Sequence, residues 1–331
     1  MQANFRSNLV KIVISSFLIF ITVLLFINPK HYINSVSVGL SVWATAVLPS
    51  LLPFFIITKS FSAINIIPFK NKFFSLLSKL FKVPSCGIYI FIMSVISGYP
   101  VGAKLIEEFY KIGCLNEKQA TKLVAICSTS GPLFIVGTVG IMFLGSIKLG
   151  FILLIAHIVG VILNGILYRN CITTNLMFEN LPKTTNKNAN ILYDIMMNSI
   201  LSVLVVGGYI SIFFMIIDML SFCNITVVLN EILHKILFRF GIEKEATMSF
   251  LNGLIEVTNG CNSLGLLNLS NIKKVVISSL LIGFGGCCVH MQSLTFLLSS
   301  KVNLKFYFLS KTTQSILSGI CAYCLALIFV V

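Results

Sequence analysis

Four apolar stretches of this chain are each broken by a short polar or glycine-rich string, and few folds accept such breaks. Residues 86–97 are apolar but number only 12, too few to cross a bilayer. They end in Ser97-Gly98-Tyr99-Pro100-Val101-Gly102, and charged sequence follows at once with Lys104, Glu107, Glu108 and Lys111. An apolar half-helix, a Gly/Pro turn and an amphipathic return predict a re-entrant hairpin. Residues 117–127 have a helical pattern that Ser128-Thr129-Ser130-Gly131-Pro132 interrupts and 133–144 resume. Proline has no N–H and blocks the helix ladder. Two more breaks fall at 256–260 and 283–286. Irregular backbone at membrane depth is tolerated only where it is buried in protein or lines a cavity.

Composition places these breaks in a membrane. Of 331 residues, 57% are hydrophobic and 10% charged, with a mean hydropathy of +0.98. A soluble domain is nearer half apolar and a quarter charged, so a soluble globular enzyme is excluded. The net charge of +14 has no basic domain to sit on, which excludes a nucleic-acid binder. What remains is an all-α polytopic membrane protein, with room for about seven to nine membrane elements.

The N-terminus carries Arg6 and Lys11 ahead of apolar residues 12–27, and no small-x-small cleavage site follows. It reads as an uncleaved first helix with its basic end inside. The apolar stretch 36–64 contains Pro49 and Pro53. In 69–82, Lys70, Lys72, Lys79 and Lys82 alternate with phenylalanines and leucines, which predicts a basic amphipathic helix on the membrane surface. The 10 cysteines are scattered, without histidine or carboxylate companions at metal-ligand spacing, and read as packing residues.

The second half repeats the first. A shift of 159 residues places Phe54-Phe55 on Phe213-Phe214, Ser62 on Ser221 and Asn65-Ile66 on Asn224-Ile225. The same shift places the Gly98-Tyr99-Pro100 turn on Val257-Thr258-Asn259. A shift of 155 then places Ser130-Gly131 on Gly285-Gly286, and Leu149 and Phe151 on Leu304 and Phe306. The chain divides into a first membrane helix (1–30), one repeat (31–170), a polar linker (171–190) and a second repeat (191–331). Each repeat makes three crossings, an odd number, so the second copy is inverted. The lysines test this independently. An inside N-terminus puts Lys70 to Lys82, Lys118, Lys122, Arg169, Lys183, Lys187, Lys301 and Lys305 inside. Lys30, Lys148, Lys235, Arg239, Lys244, Lys273 and Lys274 fall outside, with Glu231, Glu243 and Glu245 beside them. The positive-inside rule is obeyed, and the C-terminus ends outside. Inverted repeats with discontinuous helices mark a secondary transporter with its site near the midplane.

Half-helix N-termini at the breaks suit an anionic or strongly polar solute. Candidate binding residues are therefore Gly98, Tyr99, Pro100, Ser128, Thr129, Ser130, Gly131, Thr258, Asn259, Gly285 and Gly286. The glycines could instead serve close helix packing. Lys104 could be an anion ligand, or could snorkel or pair with Glu107 or Glu108. Glu256 could carry a coupling proton or sodium ion, or accept hydrogen bonds that hold its hairpin. His290 and Gln292 follow the last break by about one turn, and His290 could titrate or simply pack. His157 reads as structural, Asp194 and Asp218 as solvated helix ends, and Lys311 as a snorkelling residue close to an end. No HExxH, GxSxG, P-loop or paired carboxylates occur, and the acidic residues near the breaks are too few for a metal cage. The sequence points to no enzyme, cofactor or metal site.

The strings Ser97-Gly-Tyr-Pro-Val-Gly-Ala-Lys104, Ser128-Thr-Ser-Gly-Pro132 and Gly253-Leu-Ile-Glu-Val-Thr-Asn-Gly260 resemble the YlbJ (SpoVV) family of sporulation integral membrane proteins. Gly283-Phe-Gly-Gly286 and Val289-His-Met-Gln292 continue the likeness. The resemblance implies nucleoside-recognition Gate domains, similar to the core of concentrative nucleoside transporters. It also implies a role in endospore formation, with dipicolinic acid moved across the outer forespore membrane. Dipicolinate is a planar dianion, which suits helix N-termini and Lys104. A nucleoside carrier and a non-transporting protein of spore-envelope assembly are the alternatives. A homo-oligomer is compatible with the surface helix, and no motif decides it.

Overall fold

Asn28 and Pro29 decide where the first helix stops. The computed structural model describes residues 2–64, 71–173 and 190–330, and all regular structure among them is helical. Helix α1 (Gln2–Ile27) ends at Asn28, and Pro29 takes the first position of α2 (Pro29–Val42), where its missing N–H costs nothing. A π-helical turn, Trp43–Val47, carries α2 into α3 (Leu48–Ile64). Pro49 explains that turn. Its ring crowds the carbonyl one turn back, so the helix widens and Leu48 N–H bonds the Trp43 carbonyl.

Helix α4 (Lys72–Phe81) starts at Asn71, whose side chain accepts the Phe73 N–H. It buries Phe74 and Phe81 and exposes Phe73 and Leu76. Phe69 and Lys70, predicted for this helix, lie outside the described residues. The chain then turns by 93° into α5 (Ser85–Ser97), which is buried over most of its length. There follow α6 (Val101–Lys111), α7 (Glu117–Cys127), a π-helical segment at Phe134–Phe143 and α8 (Ile147–Tyr168). The second half runs α9 (Ile191–Phe222), α10 (Ile225–Leu237), α11 (Lys244–Ile255), α12 (Val257–Leu266), α13 (Asn271–Phe284), α14 (Gly286–Leu297) and α15 (Leu304–Phe329). Most of the predicted linker, residues 174–189, lies outside the described residues, as do Asn65 and Ile66.

Among the described residues, five helices are long and apolar enough to cross a membrane: Pro29–Ser60, Ile147–Tyr168, Ile191–Phe222, Asn271–Leu297 and Leu304–Phe329. They face outward with large apolar side chains such as Ile155, Leu167, Leu201, Leu204, Ile316 and Ile320. The protein is a multipass integral membrane protein. The sequence predicts seven crossings, and the difference lies in two places. Among the described residues, Ser15–Ile27 of α1 is one of the shorter apolar helices. Residues 117–143 carry Glu117, Lys118 and Lys122 in addition to their break.

Packing joins the halves of the chain. Helix α2 lies on α9, and α15 packs on both α8 and α13. Asp218 on α9 is not left to solvent, as its place near a helix end suggests. It pairs with His31 at 2.8 Å and accepts from Ser35, both on α2. One apolar core links α3, α8, α9, α12 and α13, and a second lies around α5, α6 and α7.

The turn after α5 is the tightest joint. Gly98 has φ +78°, and a Cβ there would sit 2.4 Å from the Gly131 nitrogen. Gly113 also has φ +78°, but nothing lies within 4 Å of its missing Cβ. The left-handed backbone alone costs a side chain about 1–2 kcal/mol, and overpacking adds about 1–3 kcal/mol. Gly98→Ala is expected to lose about 2–5 kcal/mol and Gly113→Ala only the smaller conformational share, read as thermal unfolding of the detergent-solubilised protein.

Candidate functional site

In lipid, backbone groups freed at a helix break must find partners inside the protein. The four breaks find them partly in one another and partly on neighbouring helices. Ser94 on α5 donates to the Cys127 carbonyl at the end of α7, and its hydroxyl shares a hydrogen bond with that of Thr129 at 2.9 Å. Gly102 approaches the same carbonyl so closely that a Cβ would fall 1.8 Å from it. The first turn and the first broken helix therefore meet backbone to backbone at Gly98 and Gly131. In the second half the hairpin breaks at Glu256 alone, and Gly286 packs against the Gly253 and Ile255 carbonyls. Tyr99 links the two halves, its hydroxyl reaching the Ile282 carbonyl at 3.5 Å.

Between the breaks lies a cavity of about 50 Å³, lined by Tyr99, Ser130, Gly131, Glu256, Thr258, Gly285 and Gln292. Glu256 is fully buried. Its two oxygens accept the N–H groups of Thr258 (3.1 Å) and Asn259 (2.6 Å), so the carboxylate caps α12. Sequence reading placed this break at 256–260 and left two roles open for Glu256, a coupling-ion carrier or an acceptor that holds its hairpin. The geometry has it accepting, so the protein's own carboxylate occupies the α12 N-terminus.

Lys311 is the larger surprise. It reads as a snorkelling residue near a helix end, yet it is completely buried on α15, seven residues or roughly 10 Å inside the helix start. Its Nζ donates to the Tyr99 hydroxyl (2.6 Å), the Ser128 carbonyl (2.9 Å) and the Gln314 amide oxygen (3.1 Å). No carboxylate pairs with it among the described residues. His157 accepts the Ser130 N–H at 3.0 Å and so holds the first break. The signal for Lys311 was a lone charge within an otherwise uncharged stretch of 26-residue helix beyond Lys305.

A second cavity of about 280 Å³ adjoins the first, and Gln292 lines both. Its wall takes Thr58 and Lys59 from α3, Pro100 and Lys104 from the first hairpin, Asn198, Ser202 and Tyr209 from α9, and Thr295 from α14. Lys59 reaches Glu108 at 3.7 Å. Sequence reading missed Lys59, although it is the one charge within residues 36–64. The remaining candidates point elsewhere. Thr129 faces Ser94, Asn259 is half-buried beside Ser263, and His290 bonds Tyr307 at 2.9 Å among Phe284 and Phe308. None of these three lines either cavity.

With this geometry in place, comparison with known proteins adds one finding. The chain is 27% identical, over 93% of its length and 81% of the relative's, to the sporulation integral membrane protein YlbJ of Bacillus subtilis (strain 168). The chain is thus similar to a YlbJ protein along nearly its whole length. No protein-family model and no solved structure matches the chain.

Glu256 supplies the stability test of this site. Hydrogen bonds to a charged group are worth about 1.5–3 kcal/mol each. Glu256→Ala is expected to lower stability by about 2–4 kcal/mol, and Glu256→Gln by less, because the amide oxygen still accepts one N–H. Thermal unfolding of the three proteins in one detergent reads the order.

Proposed function

We propose that this protein is a secondary transporter or facilitator of a small anionic solute, with dipicolinic acid as the leading candidate. The observation that carries the reading is the meeting of four helix breaks around a cavity that shares Gln292 with a larger one lined by Lys59 and Lys104. A rigid scaffold would gain nothing from discontinuous helices at depth, since each break forgoes helix hydrogen bonds. Two lysines facing one cavity repel each other and favour a bound anion. A cavity of about 280 Å³ suits a small solute, lying at the low end of the usual ligand range of roughly 300–1,000 Å³.

The order of elements supports an inverted repeat. A membrane-length helix of 32 residues, an amphipathic helix, a hairpin, a broken helix and a final span occur from Pro29 to Tyr168, and again from Ile191 to Phe329. On this reading the hairpins are re-entrant, as in the core of concentrative nucleoside transporters, the N-terminus is cytoplasmic and the C-terminus outside. The relative's name supports a role in sporulation, and the outer forespore membrane is the site of action that the resemblance implies.

Uptake of labelled dipicolinate into proteoliposomes, with unlabelled uridine as competitor, tests the proposal. Saturable uptake that uridine leaves intact is expected. Losing a charged hydrogen-bond donor costs about 1.5–3 kcal/mol, so Lys59→Ala and Lys104→Ala should each weaken apparent affinity roughly tenfold to a hundredfold. Uptake blocked by uridine would instead favour a nucleoside carrier. No uptake of either solute in folded protein would favour an assembly role.

A further inference from the structure

The geometry points to Lys311 as a tethered coupling cation, seated where a carrier of this design would otherwise hold a free metal ion. The inference rests on the transport reading above and names its coupling.

Three observations carry it. First, the seat is built from oxygen. A backbone carbonyl at the unwound end of α7 (Ser128), a phenolic hydroxyl at the hairpin turn (Tyr99) and an amide oxygen on α15 itself (Gln314) surround one point at 2.6–3.1 Å. Unwound carbonyls at half-helix C-termini are how transporters hold coupling cations. Second, the ammonium fills that seat completely. It has three N–H donors and three acceptors, so none is left for the solute, and Lys311 is not the anion ligand. Third, no carboxylate neutralises it among the described residues. A buried, unpaired charge costs several kcal/mol, and such residues in membranes are usually functional.

The seat also joins the parts that must move. Tyr99 belongs to the hairpin turn, Ser128 to the broken helix and Gln314 to α15. When Nζ gives one proton to water it keeps the electron pair and two N–H bonds. It can then serve only two of its three acceptors, and its lone pair faces the third. The protonated form therefore clamps hairpin, break and α15 together, and the neutral form releases one of them.

Few other titratable groups face this seat. Tyr99 also lies under the ammonium with its ring, at 4.9 Å. His157 comes from α8, and His290 and Tyr307 lie beyond, with one ring nitrogen of each histidine left without a partner. From α7, Cys127 is buried against Gly87, and Lys122 turns away to the Lys82 and Ile172 carbonyls. The charges of α13 lie at its far end, where Lys273 pairs with Glu243 and Lys274 bonds the Gly265 carbonyl. Glu256 is engaged with α12.

The test uses the full chain in proteoliposomes with labelled dipicolinate, measured in two ways. Counterflow against unlabelled dipicolinate reads transport without a driving force, and accumulation under an imposed pH gradient reads coupling. Wild type is expected to accumulate solute with the pH gradient, equally in sodium and in choline media. Lys311→Gln and Lys311→Arg are expected to lose gradient-driven accumulation, because neither side chain can release a proton in this range; the glutamine variant, uncharged like the released form, is expected to keep counterflow. Arginine keeps the positive charge, so it remains informative if the glutamine variant fails to fold. Wild-type uptake that requires sodium, or that ignores the pH gradient while counterflow persists, overturns the inference and leaves the transport reading standing. Variants that accumulate as wild type does also overturn it. Absence of counterflow in the folded wild type overturns the transport reading, and this inference with it.

Discussion

A lipid bilayer offers no partner to a bare backbone N–H or carbonyl, and everything unusual in this protein follows from that. A continuous helix satisfies its own groups; a broken one cannot. Here the groups freed at the breaks are met by side chains of the break segments themselves and of neighbouring helices. Cys127, released at the end of α7, accepts from Ser94. The Ser128 carbonyl accepts from Lys311, and the Ser130 N–H finds His157. The N–H groups that open α12 find the Glu256 carboxylate. Remove the contacts between breaks and no single half-helix is long enough to hold its place.

This mutual satisfaction also concentrates polar chemistry at one depth. Glu256 and Lys311 are the buried charges of the cluster, opposite in sign, and each is solvated by protein groups rather than by the other. Glu256 lines the small cavity, and Gln292 lines both that cavity and the larger one. Charges kept apart in this way can respond separately, the carboxylate holding a hairpin tip and the ammonium bridging a hairpin, a break and a long helix. A direct salt bridge would have tied them into one unit.

Tight backbone approach is the second requirement. Gly98 against Gly131 and Gly102 against Cys127 bring chain segments closer than any side chain permits. These contacts are local necessities of the joint, and they explain why the breaks are rich in glycine whether or not a given glycine touches solute.

Much of this was legible in the sequence. The apolar runs, the stop at Asn28-Pro29, the amphipathic helix after residue 71 and the position of every break follow from hydropathy, proline chemistry and glycine placement, which are properties of neighbouring residues. The convergence of Tyr99, Ser130, Gly131, Glu256, Thr258 and Gly285 was expected from the pattern and is what the cavity lining shows. Other assignments depended on the third dimension. Lys311 looked like a residue near an end because sequence counts distance along a helix and not depth beneath neighbouring ones. Lys59 was passed over because its cavity is assembled from four separate elements. Asn259 and His290 sit beside breaks yet turn away from both cavities, since helix rotation is set by packing. Sequence alone determined which segments are apolar and where they break, because those depend on local transfer free energy and backbone chemistry. Only the tertiary structure decided that Lys311 is buried and that Tyr99 and Ser128 satisfy it, because those contacts join residues more than a hundred positions apart.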